Sequence, residues 1–129
     1  MKESARFSIS KRFKSFSFAF NGLLNLIKNE HNARIHMAAA ICVVILGILL
    51  HISRTEWILL TIAVGLVFIS ELFNTALEKL SDIVDPEWNI NIRQIKDYSA
   101  GAVLISAVIA LITGGLIFIP RIIENFMFR

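Results

Sequence analysis

The segment ELFNTALEKLSD, residues 71–82, places Glu71, Asn74, Glu78 and Asp82 directly after a strongly apolar run. A helix turns about 100° per residue, so positions 78 and 82 lie about 20° to either side of position 71. Asn74 and Thr75 flank the same stripe, while Leu72, Phe73, Ala76, Leu77 and Leu80 fill the rest of the circumference. Glu71 and Glu78 are then about 10 Å apart along the axis. An ionised carboxylate is costly in hydrocarbon and persists there when it faces a bundle interior, a wet cavity or a cation. Such a stripe can accept a proton from a hydroxyl, hold a divalent cation, or relay protons or cations along the helix.

Other charged residues flank the apolar runs on what would be the same side. Glu30 and Arg34 precede the first run, and Lys96-Asp97 precedes the last. Each has an ordinary role available: Glu30 and Arg34 as an i,i+4 pair, Lys96 as a membrane-surface anchor, Asp97 as a helix N-cap. Together, clustered carboxylates with a lysine supply what Mg²⁺ and a polyphosphate require, hard oxygen ligands and an ammonium group. A proton or cation relay would use the same residues, and the spacing leaves both readings open. No G-x-x-x-x-G-K-[ST] loop is present. His31 and His36 are five apart, which does not suit one helical face, and His51 is remote, so no histidine metal site is expected. The single cysteine, Cys42, lies in an apolar run and reads as a small hydrophobe.

These residues need a scaffold that keeps them at one depth. The 129 residues suffice for one domain, 1–129; 56% are hydrophobic and only 18% charged. Mean hydropathy is +0.68. So few charges cannot clothe a soluble core of this size, and the chain reads as an all-α integral membrane protein. Apolar runs at 36–52, 57–70 and 98–119 predict three spans, the last stopped by Pro120. A hydrocarbon core of roughly 30 Å needs about 20 helical residues, so the second run spans only by continuing into the carboxylate stripe. The expected transmembrane helices are 35–52, 56–80 and 97–119. Before them, Phe13, Phe16, Phe20, Leu23 or Leu24, and Ile27 recur at helical spacing among basic residues. That pattern predicts an amphipathic helix over 10–29, lying in the membrane interface. Asp85-Pro86 marks a turn after the second span.

Ten of the thirteen basic residues precede the first span or lie between the second and third, which predicts a cytoplasmic N-terminus and a cytoplasmic 79–97 loop. The net charge of +3 is therefore a topology signal, and no nucleic-acid partner is expected. The first 18 residues have no early apolar core or small-residue cleavage site, unlike a signal peptide.

ELFNTALEKLSD resembles the E-x-x-N-[ST]-A-[IL]-E-x-x-x-D motif of the small prokaryotic diacylglycerol kinases, membrane lipid kinases that include undecaprenol kinases. KDYSAGAVLISAVIALITG resembles the K-D-x-x-[AS]-[AG]-A-V-L opening of their third span, and NEHNARIH their N-E-x-x-x-R segment before the first. The resemblance covers roughly residues 10–120 without insertion. It implies a homotrimer in the bacterial inner (cytoplasmic) membrane, with active sites shared between neighbours on the cytoplasmic side. It also implies transfer of the γ-phosphoryl of Mg-ATP to the hydroxyl of diacylglycerol or undecaprenol. On the family pattern Glu71 is the general base, Glu30 and Glu78 hold Mg²⁺ against the nucleotide, and Asn74 positions groups in the site. Lys96 and Asp97 would contact ATP, Lys11 or Arg12 would approach phosphate, and Glu87, Trp88 and Asn89 would border the nucleotide.

Overall fold

Backbone amides in hydrocarbon must be paired within their own segment, so spans of this composition fold as helices. The computed structural model describes residues 9–87 and 89–127, with the side chains of all but residues 9–12 and Phe126. Its elements are four helices: α1 Ile9–Asn29, α2 His31–Leu49, α3 Arg54–Val84 and α4 Ile90–Met127. Three are long and apolar enough to cross a membrane, over His31–Leu49, Arg54–Val84 and Ile90–Asn125.

A single residue separates α1 from α2. Glu30 has extended backbone (φ −100°, ψ 122°), which ends one helix, begins the next and leaves its carboxylate at the corner. Phe13, Phe16, Phe18 and Phe20 of α1 are all exposed, and its buried residue is Leu26, close to that corner. The turn from α2 to α3 is tight. His51 adopts φ 49°, rare for a residue with a side chain. It is pinned by His51 N–H donating to Ile48 O at 3.3 Å and Ile52 N–H donating to Gly47 O at 3.1 Å. Ser53 then opens α3 with a capping box, its N–H donating to Glu56 Oε2 at 2.6 Å and its hydroxyl accepting from Glu56 N–H at 3.4 Å. Gly47 leaves room for the Trp57 indole, since a Cβ there would lie 2.8 Å from Trp57 Cη2.

The third span departs from expectation at both ends. Helix α4 begins at Ile90, with Asn89 Oδ1 accepting from Asn91 N–H at 2.9 Å in the manner of an N-cap. Asp97 therefore lies inside the helix and is not its cap. Nor does Pro120 stop it, for α4 continues to Met127. Proline removes one helical hydrogen bond, but the chain beyond it is anchored. Arg121 donates to Glu56 Oε2 at 2.5 Å and Oε1 at 3.2 Å, and its Nη1 reaches the carbonyl oxygens of Leu50 and His51.

Helices α3 and α4 run antiparallel, joined by polar links at four levels. Arg121–Glu56 lies at one end, then Ser70–Ser106 with hydroxyls 2.6 Å apart, then Ser99–Asn74 at 2.7 Å, and Lys96–Asp82 at 2.6 Å at the other end. From position 56 to 82 this covers about 39 Å at 1.5 Å per residue, more than the roughly 30 Å hydrocarbon core. Near the Glu56 end a small apolar core of Ile52, Leu60, Ile117 and Phe118 packs with Val43, Leu50 and Trp57. Elsewhere most large apolar side chains of the spans are exposed on the protomer, including Ile45, Ile48, Ile62, Phe73, Leu104 and Leu111.

Candidate active site

Helix α3 delivers the stripe as the spacing requires, and its members meet different surroundings. Glu71 is the most deeply buried large side chain described, 2% exposed. His36, one and a half turns into α2, brings Nε2 to 3.1 Å from Glu71 Oε1. The two are in contact but not aligned as a hydrogen bond, and this buried oxygen has no hydrogen-bond partner among the described residues. Glu30 and Glu78 are close enough for their charges to act on Glu71. The result is a buried carboxylate with a vacant acceptor, one basic contact and two acidic neighbours, an arrangement suited to receiving a proton from a hydroxyl.

One turn along α3, Asn74 connects the stripe to α4. Its Nδ2 donates to Glu78 Oε1 at 3.2 Å. Its Oδ1 lies 2.7 Å from Ser99 Oγ, which is also 2.9 Å from the carbonyl oxygen of its own helix at Lys96. Asn74 and Ser99 are both buried, at 8% and 7% exposed, whereas Glu78 is only half-buried. Asn74 thus fixes the Glu78 carboxylate from inside and leaves it facing the more open side.

The remaining residues singled out by the sequence stand further from Glu71. Lys96 pairs with Asp82 at 2.6 Å. Asp97 is exposed and 3.8 Å from Arg93 one turn earlier. Glu30 has Lys79 Nζ 3.9 Å from its Oε1, a loose contact. In the loop, Asp85 Oδ1 accepts from Glu87 N–H at 3.1 Å and Asp85 Oδ2 from Asn89 Nδ2 at 3.0 Å, so Asp85 sets the backbone that bears Glu87 and Asn89. The side chains of Lys11 and Arg12, and all of Trp88, lie outside the described residues.

Sequence reasoning passed over His36 and Ser99. The spacing of the histidines speaks only to a metal site, whereas a carboxylate buried as deeply as Glu71 calls for a basic contact, and α2 offers the His36 imidazole. Ser99 stood within KDYS, and a buried Asn74 needs a partner for its carbonyl.

Below His36, helices α2, α3 and α4 enclose an apolar cavity of about 290 Å³. Small residues leave the space, among them Ala39 and Ala40 of α2, Ala63 of α3, and Ala107, Ala110 and Gly114 of α4. The carboxylate stripe and the cavity meet at His36.

The profile of the family described as Prokaryotic diacylglycerol kinase matches residues 17–118, a region that holds the whole Glu71 cluster. The chain belongs to the prokaryotic diacylglycerol kinase family. It is 38% identical over 117 residues to an undecaprenol kinase of Bacillus subtilis (strain 168), covering 91% of this chain and 95% of that one. It is also 34% identical over 111 residues to a diacylglycerol kinase of Synechocystis sp., covering 85% and 63% of the two chains. A diacylglycerol kinase of Escherichia coli (strain K12) is 30% identical over 100 residues, covering 78% and 82%. The protein is a membrane lipid kinase, and the reading of its carboxylate stripe as a proton or cation relay is not favoured.

Proposed function

We propose that this kinase transfers the γ-phosphoryl group of ATP to the terminal hydroxyl of undecaprenol. The observation that carries the reading is Glu71, a buried carboxylate with a vacant acceptor oxygen, in contact with His36, which lines an apolar cavity. The hydrocarbon of the lipid alcohol would enter that cavity and its hydroxyl would meet Glu71. The hydroxyl oxygen forms the new bond to phosphorus, the bond to the β–γ bridging oxygen breaks, and the proton passes to Glu71. Undecaprenol is favoured over diacylglycerol by the higher identity and fuller coverage of the Bacillus relative.

No three metal-binding side chains converge among the described residues. That fits Mg²⁺, which keeps several waters and is bound through one or two carboxylates plus substrate phosphates. Glu78, held by Asn74, and Glu30, at the α1–α2 corner, would hold the ion, which neutralises phosphate charge when bound. Lys96 and Asp97, with Glu87, Trp88 and Asn89, would contact the nucleotide, and Lys11 or Arg12 the phosphates. Phosphoryl transfer depends chiefly on positioning and charge neutralisation, so such a set suffices without a P-loop.

The extensive apolar surface of the spans supports a homotrimer with sites shared between neighbours. The basic residues support a multi-pass protein of the bacterial inner membrane with its N-terminus and active site cytoplasmic, and α1 lying in the interface. The test offers undecaprenol and diacylglycerol separately, in mixed micelles with Mg²⁺ and γ-labelled ATP, to wild type and Glu71→Gln. Label is expected in undecaprenol and at least about 10³-fold less in Glu71→Gln, a loss appropriate to a missing proton acceptor. Label in diacylglycerol alone would overturn the choice of lipid. Label in neither, from folded oligomer, would overturn ATP-dependent transfer to these alcohols.

A further inference from the structure

Helices α2 and α3 touch at the head of the cavity through His36 and Glu71. The charged groups acting on Glu71 are His36 from α2, Glu30 from the α1–α2 corner and Glu78 from its own helix, with Lys79 turned to Glu30. Among the described residues His36 is the one basic group in contact with it. His36 also lines the cavity, so it borders both the carboxylate and the space for the lipid.

We infer that His36 is a positioning residue for the kinase reaction: its imidazole holds the Glu71 carboxylate in the orientation that meets the lipid hydroxyl and forms the boundary between that hydroxyl and the cavity. A free glutamate side chain has several rotamers, and contact with a ring fixed on α2 restricts Glu71 to those that keep Oε1 beside His36. The inference rests on the reading of Glu71 as the base. A misplacement of about 1 Å in a reacting group costs on the order of 10²-fold in rate.

The test has two arms, so that failure of the inference and failure of the kinase reading are told apart. In the first, His36→Ala and His36→Gln are compared with wild type in mixed micelles containing undecaprenol, Mg²⁺ and ATP. His36→Ala is expected to lower kcat by about 10²-fold while KM for ATP changes less than about threefold. His36→Gln keeps an N–H donor near the same place and is expected to recover kcat to within about tenfold of wild type. A purely structural role would lower thermal stability in both variants and leave kcat per folded enzyme unchanged, which would overturn the inference. Equal loss in Ala and Gln variants would overturn it as well.

The second arm needs no activity. In ¹⁵N-histidine-labelled protein in lipid nanodiscs, the ring-nitrogen signals of His31, His36 and His51 are compared between wild type and Glu71→Gln. The His36 signal is expected to move and the other two to stay. An unmoved His36 signal would overturn the inference even in an active kinase. A moved signal in a protein that phosphorylates neither lipid would retain the contact and remove the base from the proposed reaction.

Discussion

Ser99→Ala is the perturbation that asks most of the proposed site, because Ser99 touches no substrate and acts through two further side chains. Its hydroxyl lies 2.7 Å from Asn74 Oδ1, and Asn74 Nδ2 donates to Glu78 Oε1 at 3.2 Å. Removing the hydroxyl leaves a buried carbonyl oxygen without its partner, which costs about 1–3 kcal/mol. The single hydroxyl proton is shared with the Lys96 carbonyl 2.9 Å away, so the lower half of that range applies, about 1.5 kcal/mol. Asn74 can relieve the loss by rotating its amide, but Oδ1 would then face Glu78 Oε1, acceptor against acceptor. Either way Glu78 is released from its fixed orientation, at about tenfold in equilibrium. The assay is phosphoryl transfer at saturating lipid while Mg²⁺ is varied at fixed ATP, with thermal stability followed in the same detergent. The half-saturating Mg²⁺ concentration is expected to rise about tenfold in Ser99→Ala, with a smaller change in Ser99→Thr, which keeps the hydroxyl. A half-saturating Mg²⁺ within twofold of wild type, from protein of unchanged fold, would refute the chain of contacts from Ser99 to Glu78 as the proposed metal ligand.

Two further predictions concern the opposite end of the bundle. Arg121→Gln removes the link from α4 to Glu56 and to the Leu50 and His51 carbonyls. It is expected to lower the melting temperature in detergent and leave kcat of the folded enzyme within about twofold, because Glu71 and Glu78 lie about 22 and 33 Å further along α3. Gly47→Ala would gain up to about 1 kcal/mol of helix propensity but lose about 1–3 kcal/mol by driving a methyl against the Trp57 ring. A small net loss of thermal stability is expected, and a pairing with Trp57→Leu should remove it.

The three spans were legible because their information is local. A run of apolar residues long enough to cross a bilayer needs no knowledge of its neighbours to be a helix, and the 71–82 spacing dictates a polar stripe for any helix that contains it. The family followed from the same local strings, in ELFNTALEKLSD, KDYS and NEHNARIH. Pro120 misled for the converse reason. Its own chemistry argues for a stop, yet α4 runs through it to Met127, and Arg121 just beyond reaches across to Glu56.

Which residues touch was decided by how the helices pack. Glu71 and Glu78 look equivalent in sequence, seven residues apart on one stripe, yet one is buried against His36 and the other is half-buried and held by Asn74. Lys96 and Asp97 are adjacent in the chain, yet lie about 100° apart around α4, so one reaches Asp82 and the other Arg93. His36 and Glu71 are separated by 35 residues, and no periodicity links positions on two helices. Sequence set the inventory of carboxylates and the depth at which each helix holds them. Packing of α2 and α4 against α3 assigned each carboxylate its partner, and in the proposed function those partners distinguish a base from a metal ligand.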